Sequence, residues 1–193
     1  MLIDETKITT YHTICAVLLR ELRVQRGFHR AQFADFFGKP ASAWENIETG
    51  KSRLDLDILL RVCRGVFVSP GQVLQTADGY DGFLRAQGWS VVLTDVGSAA
   101  TDGLLQHAKE YWASHGGRFR DGGTILMQPP IMVPPRLDNN MWYGLAPVFQ
   151  YAVDEQFRAL QSDPENFKLP TFNPQAPSPA TAEEGDDNVF GRI

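Results

Sequence analysis

The sequence predicts a mainly α protein: five short helices over residues 1–76, a small α/β unit over 82–165 and a disordered tail over 166–193. Three observations carry that prediction. Apolar residues recur at three- and four-residue steps through the first third of the chain, the spacing of one helix face. Glycine follows successive runs, at Gly27, Gly38 and Gly50, where a helix stop favours the left-handed backbone. Beyond about Lys168 the chain turns to Pro, Ala, Thr, Asp and Glu, which bury too little surface to order themselves.

The elements follow in order. Thr10 to Arg26 reads as the first helix, with Ile14, Leu18 and Leu22 on one line and Gly27 as its stop. Arg30 to Phe37 makes the second, with Phe33, Ala34 and Phe37 inward and Gly38 ending it. Pro40, favoured at a first helical position, opens a third that runs to Glu48 with Trp44 and Ile47 inward. Asp55 caps a fourth carrying Leu59, Val62, Cys63 and Val66, and Ser69-Pro70 starts a fifth that ends near Gln75. Ala77 to Gly82 then reads as a turn-rich boundary.

Past that boundary the signals thin. Trp89 to Val96 is strand-like in its β-branched content. Thr101 to His115 is a helix capped by Thr101 or Asp102, with Leu104, Leu105, Ala108, Tyr111 and Trp112 in one stripe and Gly116 as its stop. Arg118-Phe-Arg120 lies between glycine pairs and reads as a surface turn, with an anion-gripping loop as the alternative. Residues 124–128 and Ile131 to Val133 are short extended runs beside proline pairs, which confine them to edges. Pro147 opens a last helix reaching about Leu160. The tail ends in Val189-Phe-Gly-Arg-Ile193, either a frayed end or a short motif that docks on a partner.

Composition narrows the function classes. Charge is uneven: ten Lys/Arg face nine Asp/Glu through Tyr80, and eight face fourteen in the remainder. A near-neutral first third suits a module that touches phosphates at a few points, not a polycation. No apolar run is long enough for a membrane span, and no basic-then-apolar leader is visible, so a cytoplasmic location is expected. Cys15 and Cys63 sit in apolar helical stretches and read as reduced core residues, or as a redox pair if their helices touch. His12-Thr-Ile-Cys15 has the spacing of two metal ligands, but nothing nearby completes a site, so neither metal nor cofactor is expected.

The stretch Gly27 to Gly50 is the most informative. Helix, glycine turn, helix, glycine stop is the layout of a helix-turn-helix, whose second helix enters the DNA major groove. Gly38 permits the sharp turn, and Ala34 is small enough for close helix approach. With Trp44 and Ile47 inward, Ala41, Ser42, Glu45 and Asn46 are left facing out. Ser42 can donate to or accept from several bases, and Ala41 or Ala43 can meet a thymine methyl. Asn46 suits adenine and Glu45 cytosine N4, with a solvent-facing Glu45 as the alternative. Lys39, Lys51 and Arg53 flank this face and suit phosphates, which fix register without reading sequence; Thr49 and Gln32 join them as candidates.

Residues 14–74 resemble the lambda-repressor-like (Cro-type, Xre) helix-turn-helix family. The likeness rests on Leu18-x-x-x-Leu22-Arg23, Gly27-Phe28, Phe33-Ala34, Gly38, Ile47-Glu48-x-Gly50-Lys51, Leu59-x-x-Val62-Cys63, Val66-x-Val68 and Leu74. It implies a five-helix fold and a dimeric regulator of transcription. It further implies that the start of the third helix enters the groove, that Glu48 pairs with Arg23, and that Arg30 stands where the family places a backbone- or base-touching glutamine. The chain departs from the pattern at His29, which replaces a Ser or Thr cap, and at Trp44, which replaces Ile or Val and needs a larger pocket. Pro40 and Ala43 leave the recognition helix poor in long polar readers, so readout leans on DNA shape.

No nucleophile–base pair or phosphate-binding glycine loop is present, and Asp154-Glu155 diverge as helix neighbours, so an enzyme is not expected. The expected protein is a sequence-specific double-stranded DNA-binding regulator, a homodimeric repressor on an inverted repeat, whose residues 82–165 dimerise or sense a signal. Trp89, Trp112 and the aromatics around Trp142 would then bury in the second copy. The alternative is an antitoxin or other interaction protein that captures a protein partner through the acidic C-terminal region and tail.

Overall fold

The structure, a computed structural model, describes residues 4–93, 102–121 and 131–167. The predicted run at 124–128, the start of the cap at Thr101 and the tail from Lys168 lie outside them. The described part is mainly helical: α1 (Tyr11–Gln25), α2 (Arg30–Asp35), α3 (Ala41–Glu48), α4 (Leu56–Gly65), α5 (Pro70–Ala86), α6 (Gly103–Ala113), α7 (His115–Asp121), α8 (Pro147–Val153) and α9 (Glu155–Ser162). Two pairs of three-residue strands complete it: β1 (Ile8–Thr10) with β2 (Ser90–Val92), and β3 (Arg136–Asp138) with β4 (Met141–Tyr143). No helix among the described residues is long and apolar enough to cross a membrane.

The central element is α1. Every residue from Thr13 to Arg23 is buried, so this helix is covered on all sides. Thr10 starts it by accepting the Thr13 amide on Oγ1 at 3.0 Å, an N-cap of the expected type. Helix α3, itself packed on α2, closes over one side; α5 and α6 close over others. One continuous core results, from Ile14 and Leu22 through Phe33, Trp44 and Val62 to Tyr80, Phe83, Leu104, Tyr111 and Phe149.

Several expectations need correction. The boundary expected at Ala77 to Gly82 is the middle of α5, which runs on to Ala86. Val73, Ala77, Tyr80 and Leu84 keep the helix period and are all buried, outweighing the roughly 1 kcal/mol that each interior glycine costs. Gly79 has a packing reason as well: a Cβ there would lie 3.0 Å from Pro135. Tyr80 stacks on Phe149 at 3.7 Å, and its hydroxyl accepts the Ala146 amide at 2.8 Å. Segments on both sides of the expected boundary therefore share one core.

The N-terminal segment contributes a strand that was not anticipated. β1 pairs with β2 in parallel, Ile8 opposite Ser90 and Thr10 opposite Val92. Asp102 fastens this junction. It is 3% exposed, caps α6 through the Leu105 amide at 3.0 Å, and accepts from Thr9 Oγ1 at 2.9 Å and Thr13 Oγ1 at 2.6 Å. The strand-like run at Trp89 to Val96 thus yields only three strand residues within its described part.

The last third differs in detail. Arg118 to Arg120 are helical in α7, not a surface turn, and the Arg120 guanidinium pairs with buried Glu21 of α1. Ile131 to Val133 form no strand. The hairpin β3–β4 turns through Asn139 and Asn140, both at positive φ (46° and 63°), as a two-residue turn with primed geometry demands. The helix expected from Pro147 to Leu160 breaks at Asp154. That residue is extended, and its Oδ1 accepts the Phe157 amide at 2.9 Å to start α9. Residues 166 and 167 close a 3₁₀ turn, Pro164–Phe167, at the point assigned to the tail.

The aromatics expected to form a dimer face divide. Trp89 is 4% exposed, Trp142 packs edge-on to Phe83 at 5.1 Å, and Trp112 donates its indole N–H to Glu21 at 2.9 Å, whereas Tyr143, beside Trp142, is 50% exposed.

Candidate nucleic-acid interface

Helices α2 and α3 are each too short to stand alone. A cluster of rings holds them: Phe33 meets Phe28 at 5.7 Å, Phe36 at 5.7 Å and Trp44 at 4.8 Å. The chain between them turns at Gly38, whose φ of 67° is open to glycine and strained for any other residue here. Replacing Gly38 with alanine is expected to lower stability by about 1 kcal/mol, read as a shifted urea midpoint with unchanged slope. At the far side Phe36 presses on α4. A Cβ on Gly65 would sit 2.6 Å from its ring, so α4 approaches α2 only because that position is glycine.

Below the outward face of α3 lies one carboxylate. Glu48 is 2% exposed and accepts from four donors on three helices. Arg23 of α1 donates from Nε at 2.6 Å and Nη2 at 3.2 Å, Arg30 of α2 from Nε at 2.8 Å, and Trp44 of α3 from its indole nitrogen at 2.7 Å. Arg23 also donates to the Phe28 carbonyl at 2.9 Å, which fixes the loop into α2. The expected Arg23–Glu48 pair is present. What the sequence did not reveal is that Trp44 supplies the polar N–H that completes it.

The outward side carries the predicted readers. Ala41, Ser42 and Glu45 are exposed on α3, and Asn46 is half-buried. No side chain caps the N-terminus of α3, where Pro40 holds the N-cap position instead of the first helical one. Arg30, with 48% of its side chain exposed, lies across from them: besides bonding Glu48 it stands 3.9 Å from Glu45. The Glu48 hydrogen bond raises the guanidinium pKa above its usual value, so Arg30 is a permanent cation beside the exposed start of α3. Glu45 is thereby partly balanced by Arg30 instead of standing as an isolated charge.

The remaining candidates divide. Lys39, Lys51 and Arg53 are exposed on the loops that flank α3. Gln32 is exposed on α2, and its side-chain oxygen accepts the His29 amide at 2.7 Å, leaving its NH₂ group to donate elsewhere. This bond supplies a helix start that His29 itself was expected to weaken. Thr49, half-buried at the end of α3, donates its hydroxyl to the Glu45 carbonyl at 2.8 Å. Arg53 lies toward His12, whose pKa falls through burial, with Arg53 adding to the effect.

The two cysteines are buried and free, and burial pushes Cys15 up to about 12 and Cys63 to about 11. Neither is a reactive thiolate at neutral pH.

No curated protein and no solved structure matches the chain. Residues 16–80, from α1 into α5, match the family model described as a helix-turn-helix domain, which supports a helix-turn-helix DNA-binding domain in this part of the chain.

Proposed function

We propose that the protein is a sequence-specific regulator of transcription of the lambda-repressor-like type, a homodimeric repressor that binds an inverted repeat in double-stranded DNA. One observation carries the reading. The start of α3 is exposed and uncapped while its other face is locked inward by Trp44, Ile47 and Glu48, so a rigid helix end is offered to a groove. Phosphates fit Lys39, Lys51, Arg53, Arg30 and the Gln32 amide, and bases fit Ala41, Ser42, Asn46 and Glu45. This role calls for no catalytic group and no cofactor. Two α3 helices about one DNA turn apart would read the half-sites.

The test is fluorescence anisotropy of the protein against its own gene's upstream duplex and a scrambled duplex, at two salt concentrations. A preference of about 10³-fold or more supports sequence reading. Equal, salt-sensitive binding to both duplexes defeats it. Two variants divide the contacts. Arg30→Ala is expected to weaken binding to all sequences alike and to reduce the salt slope by about one charge. Ser42→Ala is expected to change base preference by about 1–3 kcal/mol at one position while leaving the slope unchanged. Parent-like behaviour of both variants would place the groove contact elsewhere.

A further inference from the structure

The outer side of α4 carries two features that the DNA-binding face does not use. Phe67, just past the helix end, is 92% exposed, and its φ of 55° lies in the left-handed region, where a bulky side chain is an outlier. Glycine would serve this helix stop better, and a polar residue would serve the surface better. A residue that breaks both local rules points to a role outside the isolated fold. Leu56 and Leu60, one turn apart on α4, are 65% and 46% exposed. Exposed apolar residues gathered along one element mark a contact surface.

The charges beside them choose the occupant. Asp57 lies in the first turn of α4 and Arg64 in the last. Seven residues apart, they share one line on the helix surface, with Leu60 between them. When two such helices cross antiparallel about a two-fold axis, the same flank of each meets, and Asp57 of one copy faces Arg64 of the other, twice over. The pattern is self-complementary. Arg64 has no ion-pair partner among the described residues. Asp57 bonds Arg61 at 2.8 Å in an exposed pair, weak enough to share.

We infer that the α4 face of Leu56, Leu60, Phe67, Asp57 and Arg64 is the surface on which a second copy of this chain docks. The inference rests on the homodimer reading and gives it an address. The contact residues lie on α4 and at its end, none of them on α3.

Sedimentation velocity on the full chain over a concentration series tests it. The parent is expected to self-associate, and Phe67→Glu to weaken association by about tenfold or more, because a charge would be buried in the contact. Phe67→Gly is expected to weaken association while raising the Tm of the dissociated chain, which separates loss of docking from loss of folding. Asp57→Arg and Arg64→Asp should each weaken association by placing like charges opposite one another. Mixed one to one, these two variants should associate again, since arginine then faces aspartate at both crossings. A parent that stays monomeric, variants that all associate like the parent, or a mixture that stays dissociated would each overturn the inference. The assay contains no DNA. A chain that associates through this face yet prefers neither duplex leaves the inference standing and defeats only the regulator reading.

Discussion

Replacing Glu48 with alanine is expected to destabilise the protein by about 3–5 kcal/mol, the cost of removing one partner from a buried ion pair. The loss is large because the carboxylate is not half of a single pair. Without it, the Arg23 guanidinium, with 9% of its side chain exposed, keeps only the Phe28 carbonyl as an acceptor among the described residues, and the Trp44 indole N–H is left buried without a partner. Each stranded donor adds its own desolvation cost of about 1–3 kcal/mol, and relaxation of the neighbouring helices recovers part of it. Urea unfolding followed by circular dichroism is the measurement, with the slope required to stay at the parent value. Glu48→Gln should fall between parent and alanine, since it keeps one acceptor oxygen but loses the charge facing two arginines. A loss under about 1 kcal/mol for alanine would mean that the ring cluster alone positions α2 and α3. DNA binding by the alanine variant should fail at a temperature the parent tolerates, because the exposed face of α3 is held by its anchored face.

How legible this site was depends on the range of its interactions. Trp44, Ile47 and Ala34 are buried as the helix period requires, because periodicity reports a face whatever covers it. Gly38 was legible for a similar reason: a turn between two short apolar runs leaves few backbone options. The indole–carboxylate bond from Trp44 to Glu48 is also local, spanning one helical turn. Volume alone does not reveal it: the larger pocket Trp44 needs says nothing of the acceptor its buried N–H requires. The Arg30–Glu48 contact joins residues eighteen apart in sequence and becomes visible only once the helices are set against one another.

Beyond α4, local signals and tertiary packing disagree more often, and packing wins. Asp78-Gly79 and Asp81-Gly82 carry strong turn chemistry, yet both pairs are helical, because Tyr80, Phe83 and Leu84 between and after them enter the core. The β1–β2 pair could not be read from sequence. Three residues carry too little pattern, and their partners lie about eighty residues away. Asn139-Asn140 has the residues of a hairpin turn, but strands of three residues on either side carry too little alternation to mark it as one.

A fragment ending at Thr76 is expected not to fold. The sequence places a domain boundary there, and its lengths alone would allow one, but the burial of α1 argues against independence. Glu21 and Arg20 are 2% and 6% exposed on that helix, and their cover comes from α6 and α7: the Trp112 indole bonds Glu21 while its ring lies 4.5 Å from the Arg20 guanidinium carbon, and Arg120 pairs with Glu21. Cutting at Thr76 removes all three contacts along with Ala77, Tyr80, Phe83 and Leu84, none more than 1% exposed, and the strand opposite β1. Each large apolar side chain lost contributes about 1.5–3 kcal/mol of burial. Three or four of them rival the whole 5–15 kcal/mol by which a folded domain is stable. Thr9 and Thr13 also lose Asp102, the buried acceptor that joins the start of α1 to α6. Thermal melting by circular dichroism decides the matter. Weak helical signal and no cooperative transition in the fragment, against a sharp transition in the full chain, would establish that the helix-turn-helix shares one folding unit with α6 to α8. A cooperative melt in the fragment would show instead that α2 to α4 cover enough of α1 alone, and that the later helices are an added layer. In the first case α1 is the element the two halves share: its Glu21 bonds Trp112 of α6 and Arg120 of α7, and its Arg23, two residues further along, bonds Glu48 of α3.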